Sequence, residues 1–166
     1  MAASSKTLLD IVESVRNREL SLSTPVLIDV GAKPEANSDA SLTSLLTKTI
    51  SQHDGWFVDY AKEYNDNPCY VLDAAHTITI GRSRSCDLRI AHKSVSSLHA
   101  RLRFDRADLE YYLADQGSRN GTYVSGERIV PGVELPLWSG ALLGFGRTAF
   151  LFLVSSTIRK LATLAL

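Results

Sequence analysis

The stretch HKSVSSLHARLRF, residues 92–104, places Ser96 and His99 three positions apart beside Arg101 and Arg103. Two kinds of chemistry use such residues. A serine nucleophile with a histidine base needs the two side chains in hydrogen-bond reach, an orienting acid and an oxyanion hole. An anion site needs a guanidinium fork, hydroxyl donors and backbone N–H groups in glycine-permitted turns. Ser96 and His99, three apart across a strand start, do not naturally face each other, and no G-x-S-x-G elbow accompanies them. The parts of an anion site are all present. They lie in IGRSRSCDLRI, where Gly81 and Arg82 leave a strand, in KSVSSLHA, and in DQGSRNGTYVSG, where Gly117 and Gly121 bracket Ser118, Arg119 and Asn120. Arg82, Ser96 and the 117–121 loop offer the fork, the hydroxyl and the amides in that order.

The charge pattern points to the same segment. The 166-residue chain has zero formal net charge, with 18 basic and 18 acidic residues. Residues 1–81 hold 6 basic and 11 acidic groups, whereas residues 82–106 hold 7 basic and 2 acidic. A local cationic excess is where an anionic partner would dock. Nucleic acid is disfavoured, because overall charge is neutral and no aromatics interleave with the arginines. The turn GFGR at 144–147 lacks the Lys-Ser/Thr ending of a nucleotide loop. The sequon NGT at 120–122 has meaning only in a secreted chain. Cys69 and Cys86 read as reduced thiols, and no His/Cys spacing suggests a metal or other cofactor. The longest apolar run, AFLFLV at 149–154, reads as a buried strand, far short of the ~20 residues of a membrane helix. No signal-peptide pattern opens the chain, so a cytoplasmic location is expected.

The elements that must hold these loops divide the chain in unequal parts. Residues 1–64 read as a helical and linker-like extension. Leu8, Ile11, Val12 and Val15 follow helical spacing behind a Thr7/Asp10 capping box, and a short β-branched run ends at Gly31. Further helices are predicted over 41–50 and 55–64, the latter stopped by Pro68. From residue 65 to 154 the pattern changes to short strands between turns, spaced as in an antiparallel sandwich. Ser125-Gly126 is a two-residue hairpin signal. Alternation over 98–104 puts Leu98, Ala100, Leu102 and Phe104 on one face and His99, Arg101 and Arg103 on the other. Residues 155–166 read as a short C-terminal helix or tail with Ile158, Leu161 and Ala165 facing the domain.

The ordered blocks TITIGRSRSCDLRI, SVSSLHARL, YLADQGSRNGTYVSGERI and LLGFG resemble a forkhead-associated (FHA) domain over about residues 69–154. The resemblance implies an all-β sandwich of two antiparallel sheets, with a phosphopeptide site on loops at one end. It implies a non-enzymatic module that binds a threonine-phosphorylated protein or peptide in Ser/Thr kinase signalling. By position, Arg82 and Ser96 would hold the phosphate, with Ser97 adding a donor. Ser118 and Arg119 would form the second phosphate-facing loop, and Asn120 would hold the peptide main chain. Gly81, His99 and Gly121 would support the site. The chain departs from the family in Ser97, where many members have arginine, and in Arg119, where many have threonine. An alternative is a phosphate-independent assembly module that uses the sandwich surface and the extension, whose GWFVDYAKEY segment is rich in aromatics. Thr24, Thr43, Thr47 or Thr49 in the extension could also occupy the site in cis once phosphorylated.

Overall fold

Thr7 starts the first helix because its side chain accepts the Asp10 amide at 3.2 Å while the Asp10 carboxylate accepts the Thr7 amide at 2.9 Å. That reciprocal cap satisfies two otherwise orphan N–H groups, and α1 runs Leu8–Arg16 with Leu8, Ile11 and Val15 buried. The computed structural model describes residues 5–21, 24–32, 67–73 and 75–164. The helices predicted over 41–50 and 55–64, and Thr43, Thr47 and Thr49, lie outside the described residues.

Twelve strands follow or flank that helix: β1 Ser5–Lys6, β2 Pro25–Ala32, β3 Cys69–Val71, β4 Ile78–Gly81, β5 Leu88–Arg89, β6 Ala100–Asp105, β7 Glu110–Asp115, β8 Thr122–Val124, β9 Glu127–Arg128, β10 Leu135–Leu137, β11 Leu142–Phe145 and β12 Thr148–Val154. Helix α2, Ser155–Leu164, closes the described chain. One sheet has the order β1-β3-β2-β12-β11-β8-β9 and the other β10-β7-β6-β4-β5. All pairings are antiparallel except β4 with the two-residue β5, a strand too short to show a period in the sequence. The fold is the all-β sandwich of two largely antiparallel sheets that the sequence predicts, with helices at its termini.

The run in β12 is continuously apolar because both of its faces are covered. Phe150 and Phe152 point into the sandwich with Ile80, Leu102, Leu113 and Leu143. Ala149, Leu151 and Leu153 point outward into a second core built with Val26 and Ile28 of β2, Leu8, Ile11 and Val15 of α1, and Ile158 of α2. The Arg159 guanidinium also donates to the Val15 carbonyl at 3.2 Å, tying the two helices together.

The sandwich therefore draws on sequence ahead of the boundary expected at residue 65. β2 lies between β3 and β12 and pairs with β12 from Pro25 to Ala32. An interior strand supplied by the first 32 residues makes that part of the extension integral to the sheet.

At the other end of the reading, residues 98–104 begin their strand two positions later than alternation suggests. β6 starts at Ala100, so Leu98 is left 38% exposed and His99 is fully buried. The ring of His99 has polar partners inside the fold and stands edge-on to Phe145 at 5.8 Å, which outweighs strand alternation. The hairpin at Ser125-Gly126 forms as expected, both residues taking positive φ between β8 and β9.

Candidate functional site

A cavity of about 260 Å³ opens at one end of the sandwich, lined by Arg82, Lys93, Ser94, Val95, Ser96, Ser97, Arg119 and Asn120. The turns that follow β4, precede β6 and follow β7 thus meet in space. Each is locked to the next by the main chain. Arg82 N donates to Ser96 O at 2.8 Å and Ser83 N to Ser97 O at 3.1 Å. Gly81 permits this approach, because a Cβ there would sit 2.3 Å from the Ser97 carbonyl oxygen. We expect Gly81→Ala to destabilise the fold by about 1–3 kcal/mol, the range for overpacking, measured by urea unfolding. An unchanged midpoint would show that the two turns separate at little cost.

The Arg82 guanidinium is anchored through Nε to the Val95 carbonyl at 3.1 Å, while the residue stays exposed. Its terminal amino groups are left for a partner. Ser96 Oγ accepts the Arg119 amide at 3.1 Å, so its own hydrogen is available to an acceptor in the cavity. Asn120 spends one amide hydrogen on Ser94 O at 2.7 Å, which joins the third loop to the second. Among the described residues, ion pairs join His76 to Asp87 and Arg103 to Asp105 and Glu134; none involves Arg82, Lys93 or Arg119. The cavity therefore collects three cationic side chains and no carboxylate.

His99 is committed on both sides of its ring. Nδ1 accepts the Ser96 backbone N–H at 3.0 Å, which leaves the proton on Nε2, 3.1 Å from the Gly121 carbonyl it meets. Neither nitrogen is turned to the Ser96 hydroxyl. The ring instead braces the loop that carries Ser96 against the loop that carries Asn120. Burial lowers the His99 pKa below its ordinary 6.5, against opposing contributions from the Gly121 carbonyl and the Asp115 charge.

A histidine held neutral in the fold but free to protonate when unfolded makes the unfolded chain the better proton acceptor in that range. Its contribution to stability is complete above the unfolded pKa and is lost as pH falls from about 6.5 toward the depressed folded value. Urea unfolding at pH 7.5 and 5.5 checks this. The fall in stability should be smaller in His99→Gln, and an identical fall in both proteins would clear His99 of the effect.

The third loop is organised by Asp115, a residue the sequence reading passes over. Its carboxylate is buried and accepts the Gly117 and Ser118 amides, each at 2.9 Å, the Thr122 hydroxyl at 2.6 Å and the Ser118 hydroxyl. Burial pushes its pKa up, but these hydrogen bonds outweigh it and the net shift is downward. Ser118 consequently does not line the cavity. It is buried with its hydroxyl on Asp115, correcting its expected place in the ligand-facing set. The signal was legible: an Asp followed by Gly and Ser two and three positions on is the pattern of an aspartate capping its own turn.

Lys93, Ser94 and Val95 are the lining residues that motif reading left out. Ser94 Oγ accepts the Arg147 amide at 2.8 Å and lies 2.7 Å from His92 Nδ1. Gly146 makes that contact possible: its φ is +61° and a Cβ would meet Ser94 O at 2.5 Å. Gly146 N donates in turn to Gly121 O, so the β11–β12 turn supports both loops.

Comparison with known proteins converges on these turns. Residues 78–146 match the family model of the FHA domain. The human protein "Angiogenic factor with G patch and FHA domains 1" is 41% identical over 63 residues, 37% of this chain and 9% of that protein. The Saccharomyces cerevisiae "DNA damage response protein kinase DUN1" is 34% identical over 85 residues, 48% of this chain and 16% of that one. The chain thus spans a small part of the length of these relatives. Among solved structures, the FHA domain of an Arabidopsis thaliana hypothetical protein shares the fold at a TM-score of 0.54 and 19% identity, covering 80% of this chain and 86% of that one. The yeast Dun1 FHA domain, solved in complex with a doubly phosphorylated (pT) peptide derived from Rad53 SCD1, does so at 0.52 and 22%, covering 81% and 76%. The family match runs through the turns that hold Arg82, Ser96 and Asn120, and the sheets are arranged as in the solved FHA domains, so residues 78–146 are the part of this chain that matches an FHA domain.

Proposed function

We propose that the cavity binds the phosphate of a threonine-phosphorylated protein or peptide, making the chain a recognition module in Ser/Thr kinase signalling. One observation carries the reading: Arg82, Lys93 and Arg119 converge without a carboxylate beside the free hydrogen of Ser96. A phosphate monoester brings −1.5 to −2 charges at pH 7 and three strong acceptor oxygens, which suits that donor set. Arg82 supplies a fork pre-positioned by Val95, and Ser96 a hydroxyl pre-positioned by the Arg119 amide. Ser97, exposed at the rim, adds a donor. Arg119 adds charge to the donor set, and the unspent amide atoms of Asn120 hold the peptide main chain.

FHA domains are binding modules, and in this reading the chain performs no chemistry on its ligand. A cytoplasmic location belongs to the same proposal. No described helix is long and apolar enough to cross a membrane.

Calorimetric titration with one peptide in phosphothreonine, phosphoserine and unphosphorylated forms tests the proposal. Binding is expected for the first, weaker binding for the second and none for the third. Equal affinity for the phosphorylated and unphosphorylated forms would refute it and favour a phosphate-independent assembly role.

A further inference from the structure

His92 does not line the cavity, yet the turn it opens carries two of the carbonyls that hold the site's groups in place. Its own carbonyl accepts the Val95 amide at 3.0 Å, closing a tight turn over residues 92–95. Within that turn the imidazole acts on Ser94 twice. Nδ1 accepts the Ser94 backbone N–H at 3.2 Å and lies 2.7 Å from the Ser94 hydroxyl. A ring nitrogen that accepts a backbone N–H carries no hydrogen of its own, so the hydroxyl donates to it and the ring's proton is on Nε2. An aspartate or asparagine oxygen often receives the N–H two residues on in this manner. Here an imidazole nitrogen takes its place.

Ser94, held this way, is where three turns meet. Its Oγ accepts the Arg147 amide of the β11–β12 turn at 2.8 Å, and its carbonyl accepts Asn120 Nδ2 at 2.7 Å. The next residue, Val95, gives its carbonyl to Arg82 Nε at 3.1 Å. The directions of the Arg82 fork and the Asn120 amide therefore depend on the backbone at 94 and 95. Both of those residues are buried, whereas His92 fixes them from a half-buried place at the surface. Ser94 has no hydroxyl hydrogen left for a ligand, so it lines the cavity as support.

Resting on the phosphothreonine reading, we propose that His92 is a positioning residue for ligand binding. Its Nδ1, acting as an acceptor, locks the 92–95 turn so that the Ser94 and Val95 carbonyls hold Asn120 and Arg82 toward the peptide. His99 braces the same loop from inside by accepting the Ser96 amide. Residues 94 and 96 are thus each tied to a histidine, one at the surface and one in the core. A loop already ordered in the free protein spares the ligand the cost of ordering it, and affinity rises accordingly.

Calorimetric titration with one phosphothreonine peptide, beside thermal melts, tests this. His92→Leu removes the acceptor and should bind roughly fivefold more weakly, the scale of one hydrogen bond. His92→Asn offers an oxygen in place of Nδ1 and should stay within about twofold of the wild type. Ser94→Ala should also weaken binding, and the double variant His92→Leu/Ser94→Ala should lose less than the two single losses combined, because both remove one shared contact. Ile11→Val in the second core, destabilised to a similar degree, should bind as the wild type does, which separates positioning from lowered stability. A nitrogen-15 spectrum of the imidazole at pH 7.5 should show Nδ1 without a proton. Wild-type affinity in His92→Leu, an undiminished loss in His92→Asn, strictly additive losses, an equal loss in Ile11→Val or a proton on Nδ1 would each overturn this inference. The phosphate site would still stand if the wild type binds the peptide and Arg82→Ala does not. Failure of the wild type to bind would sink both readings.

Discussion

We expect Arg82→Ala to lose about 30- to 4,000-fold in affinity for a phosphothreonine peptide, with little change in melting temperature. The range converts the roughly 2–5 kcal/mol that follows truncation of one partner in a hydrogen-bonded charged pair. It applies because the guanidinium has one fixed anchor, the Val95 carbonyl, and otherwise faces the cavity with no carboxylate of its own. The side chain is exposed and outside both apolar cores, so removing it forfeits one hydrogen bond to the fold and little packing. Arg82→Lys separates charge from shape: it keeps the cation but loses the planar fork, and should fall between the two. Ser96→Ala should cost less, about 1 kcal/mol for a neutral hydroxyl donor. Calorimetry on the three variants beside thermal melts gives the ranking. Wild-type affinity in Arg82→Ala would mean that the phosphate sits elsewhere.

The residues legible in advance are those whose local grammar states their role. Thr7 and Asp10 form their capping box, and Ser125-Gly126 turns its hairpin. Arg82 and Asn120 each sit beside a glycine, Ser96 is singled out by the block SVSSLHARL that resembles the family, and the structure brings all three to one cavity. What escaped notice depends on where a side chain turns after the chain has folded. Ser118 and Ser96 look alike in sequence; one spends its hydroxyl on buried Asp115 and the other keeps its hydrogen for the cavity. His99 falls on the outward face by alternation, yet two backbone groups inside the fold capture its ring.

The first 32 residues present the same problem at the scale of the fold, and their removal has the largest expected effect on stability. A chain begun at residue 65 keeps every motif of the site but lacks α1 and β2. Without β2, β3 and β12 lose the strand between them and a row of ladder hydrogen bonds on each side. Leu27 leaves the main core, and Leu8, Ile11, Val15, Val26, Ile28 and Val30 leave the second, exposing Leu151 and Leu153 behind them. At about 1.5–3 kcal/mol for each buried aliphatic side chain, with extended-chain values as upper bounds, the seven removed side chains carry on the order of 10 kcal/mol. A domain of this size is stable by about 5–15 kcal/mol in total. We therefore expect residues 65–166 alone to give no cooperative thermal transition and to aggregate, whereas the full chain melts in one step. Circular dichroism and size-exclusion chromatography on the two proteins decide the matter. A monomeric fragment with the full chain's melting temperature would show that β12 tolerates an open edge and that the folding unit begins where the motifs do.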